Sequence, residues 1–257
     1  MTTTLQPSPA SLASVRAALD QLLKVAAYWP TSNGLAIEGR QAVGKVGLAV
    51  SLSFRVIDQA VRRGCDLLVA HLPALPSTDV HLVEVKMGRL RQAGISLYLC
   101  HESLDCAREF GTADSLARAV QVAVQASFEP DGLLACAVHG VTLGLFSELV
   151  TRVGNRLGVE ARGWKNTDSF GHVAVIPGWG ARPAWMRRAQ ELGCDTVVTG
   201  EALLPGLLFA REAAINLVLA GHQATMTPGV MALATRITRD LKLEVTFIPE
   251  DLVEAAA

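Results

Sequence analysis

The chain is short of the features that mark several large classes of protein. It has no charge excess, since 23 basic residues stand against 24 acidic ones for a net charge of −1. Proteins that grip nucleic-acid phosphates or anionic membrane surfaces usually carry a basic surplus, so the balance gives no case for either partner. The five cysteines (Cys65, Cys100, Cys106, Cys136, Cys194) are odd in number and include no C-x-x-C pair. That argues against a disulfide framework or a zinc knuckle and for a reducing compartment. No apolar run approaches the roughly 20 residues that span a bilayer. The opening residues carry neither a basic n-region nor an apolar h-region of the kind a signal peptide needs. There is no low-complexity tract and no Pro/Ser linker. These absences set the expectation of a soluble, cytoplasmic protein whose 257 residues pack as a single compact body.

What is present is apolar content arranged periodically. Half of the residues are hydrophobic and 18% are charged, enough to build a large core. Helical spacing runs over 11–27, and turn residues follow at Trp29 to Gly34. Short apolar runs at 35–37, 46–51, 66–70 and 95–100 read as strands, with helices at 54–63 and 80–92 between them. Pro73 and Pro76 bracket a loop. Strands alternating with helices of about ten residues imply parallel pairing through right-handed crossovers. The second half repeats the plan, with strands at 173–176, 196–199 and 215–220 and helices at 183–192 and 204–213.

The repetition reaches single residues. Gly64-Cys65-Asp66 reappears as Gly193-Cys194-Asp195, and Ala93-Gly94-Ile95-Ser96-Leu97 as Ala213-Ala214-Ile215-Asn216-Leu217, in the same order on equivalent elements. The expected fold is therefore α/β, with two similar lobes, mainly parallel sheets and an internal pseudo-duplication. Lobe one covers about 10–128 and lobe two about 129–250. A turn at Glu129 to Gly132, a strand at 133–139 and a helix at 143–157 connect them. A helix at 228–241 with Pro228 in its first position, a strand at 243–248 and a frayed tail close the chain.

Three of the six histidines directly follow apolar strands: His71, His101 and His222, with Asp105 four residues beyond His101. Strand ends of α/β sheets are where loops on a rigid scaffold gather functional groups. If the lobes face each other, neutral imidazoles and a carboxylate surround one site suited to Zn²⁺, Fe²⁺ or Mn²⁺ with positions open to water. Glu201, after Thr199-Gly200, is a candidate catalytic carboxylate or one that orients a ligand, with Glu102 as the alternative base. Glu102 reads as a solvated carboxylate, and Cys100 as a small buried hydrophobe. Gly178-Trp179-Gly180 is only a fragment of a phosphate loop. Trp179 and Trp185 beside it are candidates for an exposed interface. His81, His139 and His172 have no acidic companion and read as structural.

Five stretches stand in order: Ser32-Asn33-Gly34-Leu35, Val69-Ala70-His71-Leu72-Pro73, His101 to Asp105, Thr199-Gly200-Glu201, and Ala220-Gly221-His222-Gln223-Ala224-Thr225. Together they resemble the GTP cyclohydrolase 1 type 2 homologue family, the Ngg1-interacting-factor-like toroid proteins. The likeness runs from about 19 to 248, in the short form without an inserted middle domain. It implies two intertwined α/β lobes, a paired metal site and a homohexameric ring, with metal-dependent hydrolysis of an unidentified small molecule as the common expectation. Carried over by position, it marks His71, Asp105 and His222 as ligands and His101 as a ligand or a residue that orients one. The chain departs from the pattern at Leu72, where the family has a second adjacent histidine, and at Met226, where it has a glutamate. Histidines that follow the Thr-Gly-Glu turn in close relatives are also missing. Neither Leu72 nor Met226 offers a hard donor, so the resemblance implies one divalent ion per chain or none. The expectation is a divergent metal-dependent hydrolase with an incomplete site; the alternative is a ring-forming scaffold that has lost the chemistry.

Overall fold

A computed structural model of the chain describes residues 9–73 and 80–250. Pro76 and the tail 254–257, on which two of the expectations fall, lie outside the described residues. In chain order the first elements are β1 (Ala10–Ser11), α1 (Leu12–Leu22), β2 (Asn33–Ile37), β3 (Ala42–Val43), β4 (Lys45–Ala49) and α2 (Phe54–Arg62). Then come β5 (Leu67–Ala70), α3 (Val80–Ala93), β6 (Ser96–Cys100), α4 (His101–Asp105), α5 (Thr112–Ala119) and β7 (Ala123–Phe128). They are followed by β8 (Ala137–Val141), α6 (Phe146–Leu157), β9 (Arg162–Trp164), β10 (His172–Ile176), α7 (Pro183–Glu191) and β11 (Thr196–Thr199). The last are α8 (Leu204–Glu212), β12 (Asn216–Leu219), α9 (His222–Arg236), a π-helical turn (Ile237–Leu241) and β13 (Glu244–Phe247).

These elements form two units. The first holds the described residues up to Ser103 and those from Leu233 onward, and the second holds Leu104–Ala232. The division assigns 104–128 to the second unit because α5 and β7 pack with its sheet. It returns the end of the chain to the first unit because β13 pairs with β4.

In the first unit the sheet order is β13-β4-β5-β6-β2, parallel from β13 to β6, with β2 antiparallel at the edge. Local chemistry sets the helices beside it. Ser53 accepts from the Val56 amide and caps α2, whose Val56, Ile57 and Ala60 face inward. All four residues of β5 are buried, as expected of a strand covered on both faces. Burying each such Leu or Val side chain is worth about 1.5–3 kcal/mol.

In the second unit the order is β7-β8-β10-β11-β12-β9. Its central strands β10, β11 and β12 run parallel, and β9 is antiparallel at the edge beside β12. Successive residues of these strands feed opposite faces: Val173, Val175 and Val198 enter one core cluster, and Ala174, Ile176 and Val197 another.

The duplication is visible in this topology, since β4-β5-β6-β2 and β10-β11-β12-β9 have the same order and the same directions. It extends to the repeated triplets. Asp66 Oδ2 accepts the Gly44 and Lys45 amides at 2.9 and 3.1 Å, and Asp195 Oδ2 accepts the His172 amide at 3.3 Å. Each aspartate thus ties the entry of one strand to the entry of the next. Burial, offset in part by Lys45 and Arg63, pushes the Cys65 thiol up to about 11; burial likewise pushes Cys194 up to about 12.

Two expected boundaries are corrected. The strand placed at 133–139 forms only from Ala137, because the Asp131 carboxylate caps the Leu133 and Leu134 amides in a turn. The helix placed at 228–241 starts at His222, with Pro228 inside it. An interior proline removes a donor. Here the Thr225 and Thr227 hydroxyls donate to carbonyls of the preceding turn: Thr225 to Gly221 and His222, and Thr227 to Gln223 at 2.8 Å.

Candidate metal centre

Strand ends carry the histidine donors. His71 directly follows β5, is fully buried, and is anchored by its amide to the Ala49 carbonyl at 3.1 Å. His101 directly follows β6 and opens α4, its amide bonded to the Ser32 carbonyl. Residues four apart on a helix lie on one face, so α4 places Asp105 beside His101. The two imidazoles meet edge to face, with centroids 5.2 Å apart and rings inclined by 78°. His71, His101 and Asp105 each bring one ligand atom within 4.8 Å of the others. Two imidazoles and a carboxylate at this spacing fit one divalent cation with open positions.

The supports of this trio are specific. The Thr112 hydroxyl donates to Asp105 Oδ1 at 2.7 Å and fixes the rotation of the carboxylate. Thr112 reaches it because Gly111 lets the chain turn tightly; a Cβ there would lie 2.1 Å from the Ala107 carbonyl oxygen. Glu102 corrects the expectation of a solvated carboxylate. Its side chain is only 16% exposed, and its Oε1 lies 3.2 Å from His101 Nδ1. Its Oε2 accepts from Ser32 Oγ and Asn33 Nδ2 at 2.6 Å each. Burial pushes the Glu102 carboxyl up, but the hydrogen bonds from His101 and Ser32, with the backbone, outweigh it and hold the group down at about 2. No local sequence signal pointed to this role, because the partners at 32 and 33 are far away in the chain.

The second unit places His222 and Glu201. His222 opens α9 just after β12, and its Nδ1 lies 3.5 Å from Glu201 Oε2. The Glu201 side chain is 55% exposed, and its amide is held by the Gly178 carbonyl at 2.9 Å. His222 Nε2 is buried without a hydrogen-bond partner among the described residues. A Cβ on Gly178, whose φ is +69°, would meet Met226 Cε at 2.5 Å and His222 Nε2 at 3.2 Å, so the methionine methyl and the imidazole edge pack on that glycine.

The remaining candidates resolve without new chemistry. The Gly178 and Gly180 amides are spent on the Thr225 and Thr199 hydroxyls, which removes the donors a phosphate cradle would need. Trp179 is exposed, and the Arg182 guanidinium stacks over it and over Trp185 at 4.3 and 4.5 Å. Cys100 is buried. His81 and His172 are exposed, and the His139 ring packs against Phe128 at 6.1 Å. No helix among the described residues is long and apolar enough to cross a membrane.

Residues 11–252 match the family model Duf34/NIF3 (NGG1p interacting factor 3). The chain is 30% identical over 225 residues to a protein of Escherichia coli (strain K12) named GTP cyclohydrolase 1 type 2 homolog, covering 84% of this chain and 88% of that one. It is also similar to the solved structure titled protein ybgI, unknown function, with a TM-score of 0.84 and 26% identity over 94% of this chain and 98% of the other. TTHA1606 from Thermus thermophilus gives a TM-score of 0.78 at 25% identity, covering 95% of this chain and 100% of that one.

Proposed function

The chain belongs to the Duf34/NIF3 family, and from that premise we propose that it is a metal-dependent hydrolase with one divalent ion per chain. The observation that carries this reading is the convergence of His71, His101 and Asp105 within 4.8 Å. His71, His101 and Asp105 would hold the ion, and a divalent ion bound there would supply Lewis-acid activation of water near neutral pH. The residues do the positioning. His71 is fixed by burial and by its backbone, Asp105 by the Thr112 hydroxyl, and His101 by the start of α4. Glu201, exposed just after β11, stands beside His222 in the second unit, and its role as general base is carried by its position in the sequence alone. Zn²⁺, Fe²⁺ and Mn²⁺ all suit the donor set. Leu72 and Met226 remove two donors from the paired-metal pattern, which limits the reading to a single ion.

The substrate class to try first is the nucleotide implied by the relatives' name, then phosphoesters and cyclic amides. Protein loaded with each metal should turn over one of these, and Asp105→Asn should abolish that turnover. A second reading, a scaffold without the chemistry, is favoured by the apolar residues at 72 and 226. An assembled protein that hydrolyses none of these compounds with any of the three metals decides for it. Self-association into a homohexamer and a cytoplasmic setting belong to both readings; light scattering of the purified chain tests the first.

A further inference from the structure

We infer that Glu102 is a positioning residue that keeps the ring proton of His101 on Nδ1 and so presents Nε2 as the donor atom; the metal role of that nitrogen rests on the reading above. A neutral imidazole carries one N–H and one lone pair, and the partner of one nitrogen decides the chemistry of the other. His101 Nδ1 lies 3.2 Å from Glu102 Oε1, and a carboxylate oxygen only accepts, so a hydrogen bond between the two requires the proton on Nδ1.

Glu102 is not free to turn away. Ser32 Oγ and Asn33 Nδ2 both donate to its Oε2 at 2.6 Å. Asn33 is itself fixed, donating also to the Trp29 carbonyl at 3.1 Å and accepting the Ser103 amide on Oδ1 at 3.0 Å. The edge strand β2 therefore grips α4 through one carboxylate, and that carboxylate sets the tautomer of the first residue of the helix. Carboxylates placed behind metal-binding histidines in this way commonly change metal affinity about 10- to 100-fold when removed.

Glu102→Gln tests the arrangement sharply because it keeps the shape. Ser32 and Asn33 both donate, so the glutamine carbonyl must face them and its NH₂ must face His101. The ring then has to accept on Nδ1, which moves its proton to Nε2 and takes the lone pair away from the metal side. The tautomer is read directly by long-range ¹H–¹⁵N NMR of the metal-free chain at about pH 9, where imidazole is neutral.

The expected result is an Nδ1–H ring in the wild type and an Nε2–H ring in Glu102→Gln. Zn²⁺ or Co²⁺ affinity should fall about 10- to 100-fold while circular dichroism shows the fold retained. Ser32→Ala, which removes one of the two donors, should lose less affinity and keep the Nδ1–H ring. A wild-type ring carrying its proton on Nε2, or on both nitrogens, overturns the inference, as does wild-type metal affinity in Glu102→Gln. A wild type with the Nδ1–H ring that binds no metal upholds the role of Glu102 and removes the metal reading instead.

Discussion

The two halves of the duplication offer the same frame and fill it differently. In each, a parallel strand ends in a histidine that starts a helix: His101 after β6 and His222 after β12. Each histidine has a carboxylate near Nδ1, Glu102 in the first half and Glu201 in the second. Four residues further along each helix the halves diverge, with Asp105 in one and Met226 in the other. The preceding strand ends differ as well, because β5 runs into His71 whereas β11 runs into Gly200-Glu201. Duplication therefore supplied two equivalent mouths, and single residues decided which one gathers hard donors. In the second, Met226 is 6% exposed and packs with the His222 ring on Gly178, an apolar setting for the imidazole edge.

The largest expected effect comes from emptying the first mouth. His71→Ala or Asp105→Ala should cut divalent-ion affinity by about 100-fold or more in competition with a chelator. His222→Ala should cost less than about tenfold, and equal losses in the three variants would erase the contrast between the halves. Restoring the donor missing from each mouth comes next. Leu72→His combined with Met226→Glu should raise bound metal from about one ion per chain toward two by elemental analysis. A value that stays at one or below would show that these positions do not account for the missing donors.

How far the sequence carried these conclusions depends on whether the signal is local. The strands ending in His71, His101 and His222 are legible because each is a short apolar run. The duplication is legible because Gly-Cys-Asp performs the same strand-linking job twice. The role of Glu102 is not legible. An alternating strand would send it to solvent, but the chain turns into α4, only five residues long and too short to show a period. Its partners Ser32 and Asn33 lie at the start of the neighbouring strand β2 and are remote only along the chain. The start of α9 was hidden by Pro228, which normally marks a first turn but here lies inside the helix.

Smaller effects probe the supports. Gly111→Ala should destabilise the chain by about 1–3 kcal/mol in urea unfolding, since the new methyl must displace the backbone at Ala107. The equivalent thiols should behave alike. With Cys65 raised to about 11 and Cys194 to about 12, each keeps its proton well above the ordinary 9.0. A folded pKa above the unfolded one means that the folded state holds the proton more tightly. The associated stability is therefore present below about pH 9 and is lost as pH rises through the folded values. Both sites should resist iodoacetamide at pH 8 in the native chain and react on unfolding; labelling of one but not the other would break the equivalence of the two sites. The smallest effect belongs to Ala214, which holds φ +54° where the first half has Gly94 at +65°. Ala214→Gly should stabilise by no more than about 1 kcal/mol.

The most direct test of the central claim is a Co²⁺ titration followed by its visible absorption, run on the wild type and on Asp105→Ala side by side. A wild type that saturates near one ion per chain with a spectrum indicating nitrogen and oxygen ligation, and a variant that shows no such spectrum, is the result this account predicts. Saturation at the same stoichiometry and spectrum in both proteins, or no binding by the wild type, would contradict it.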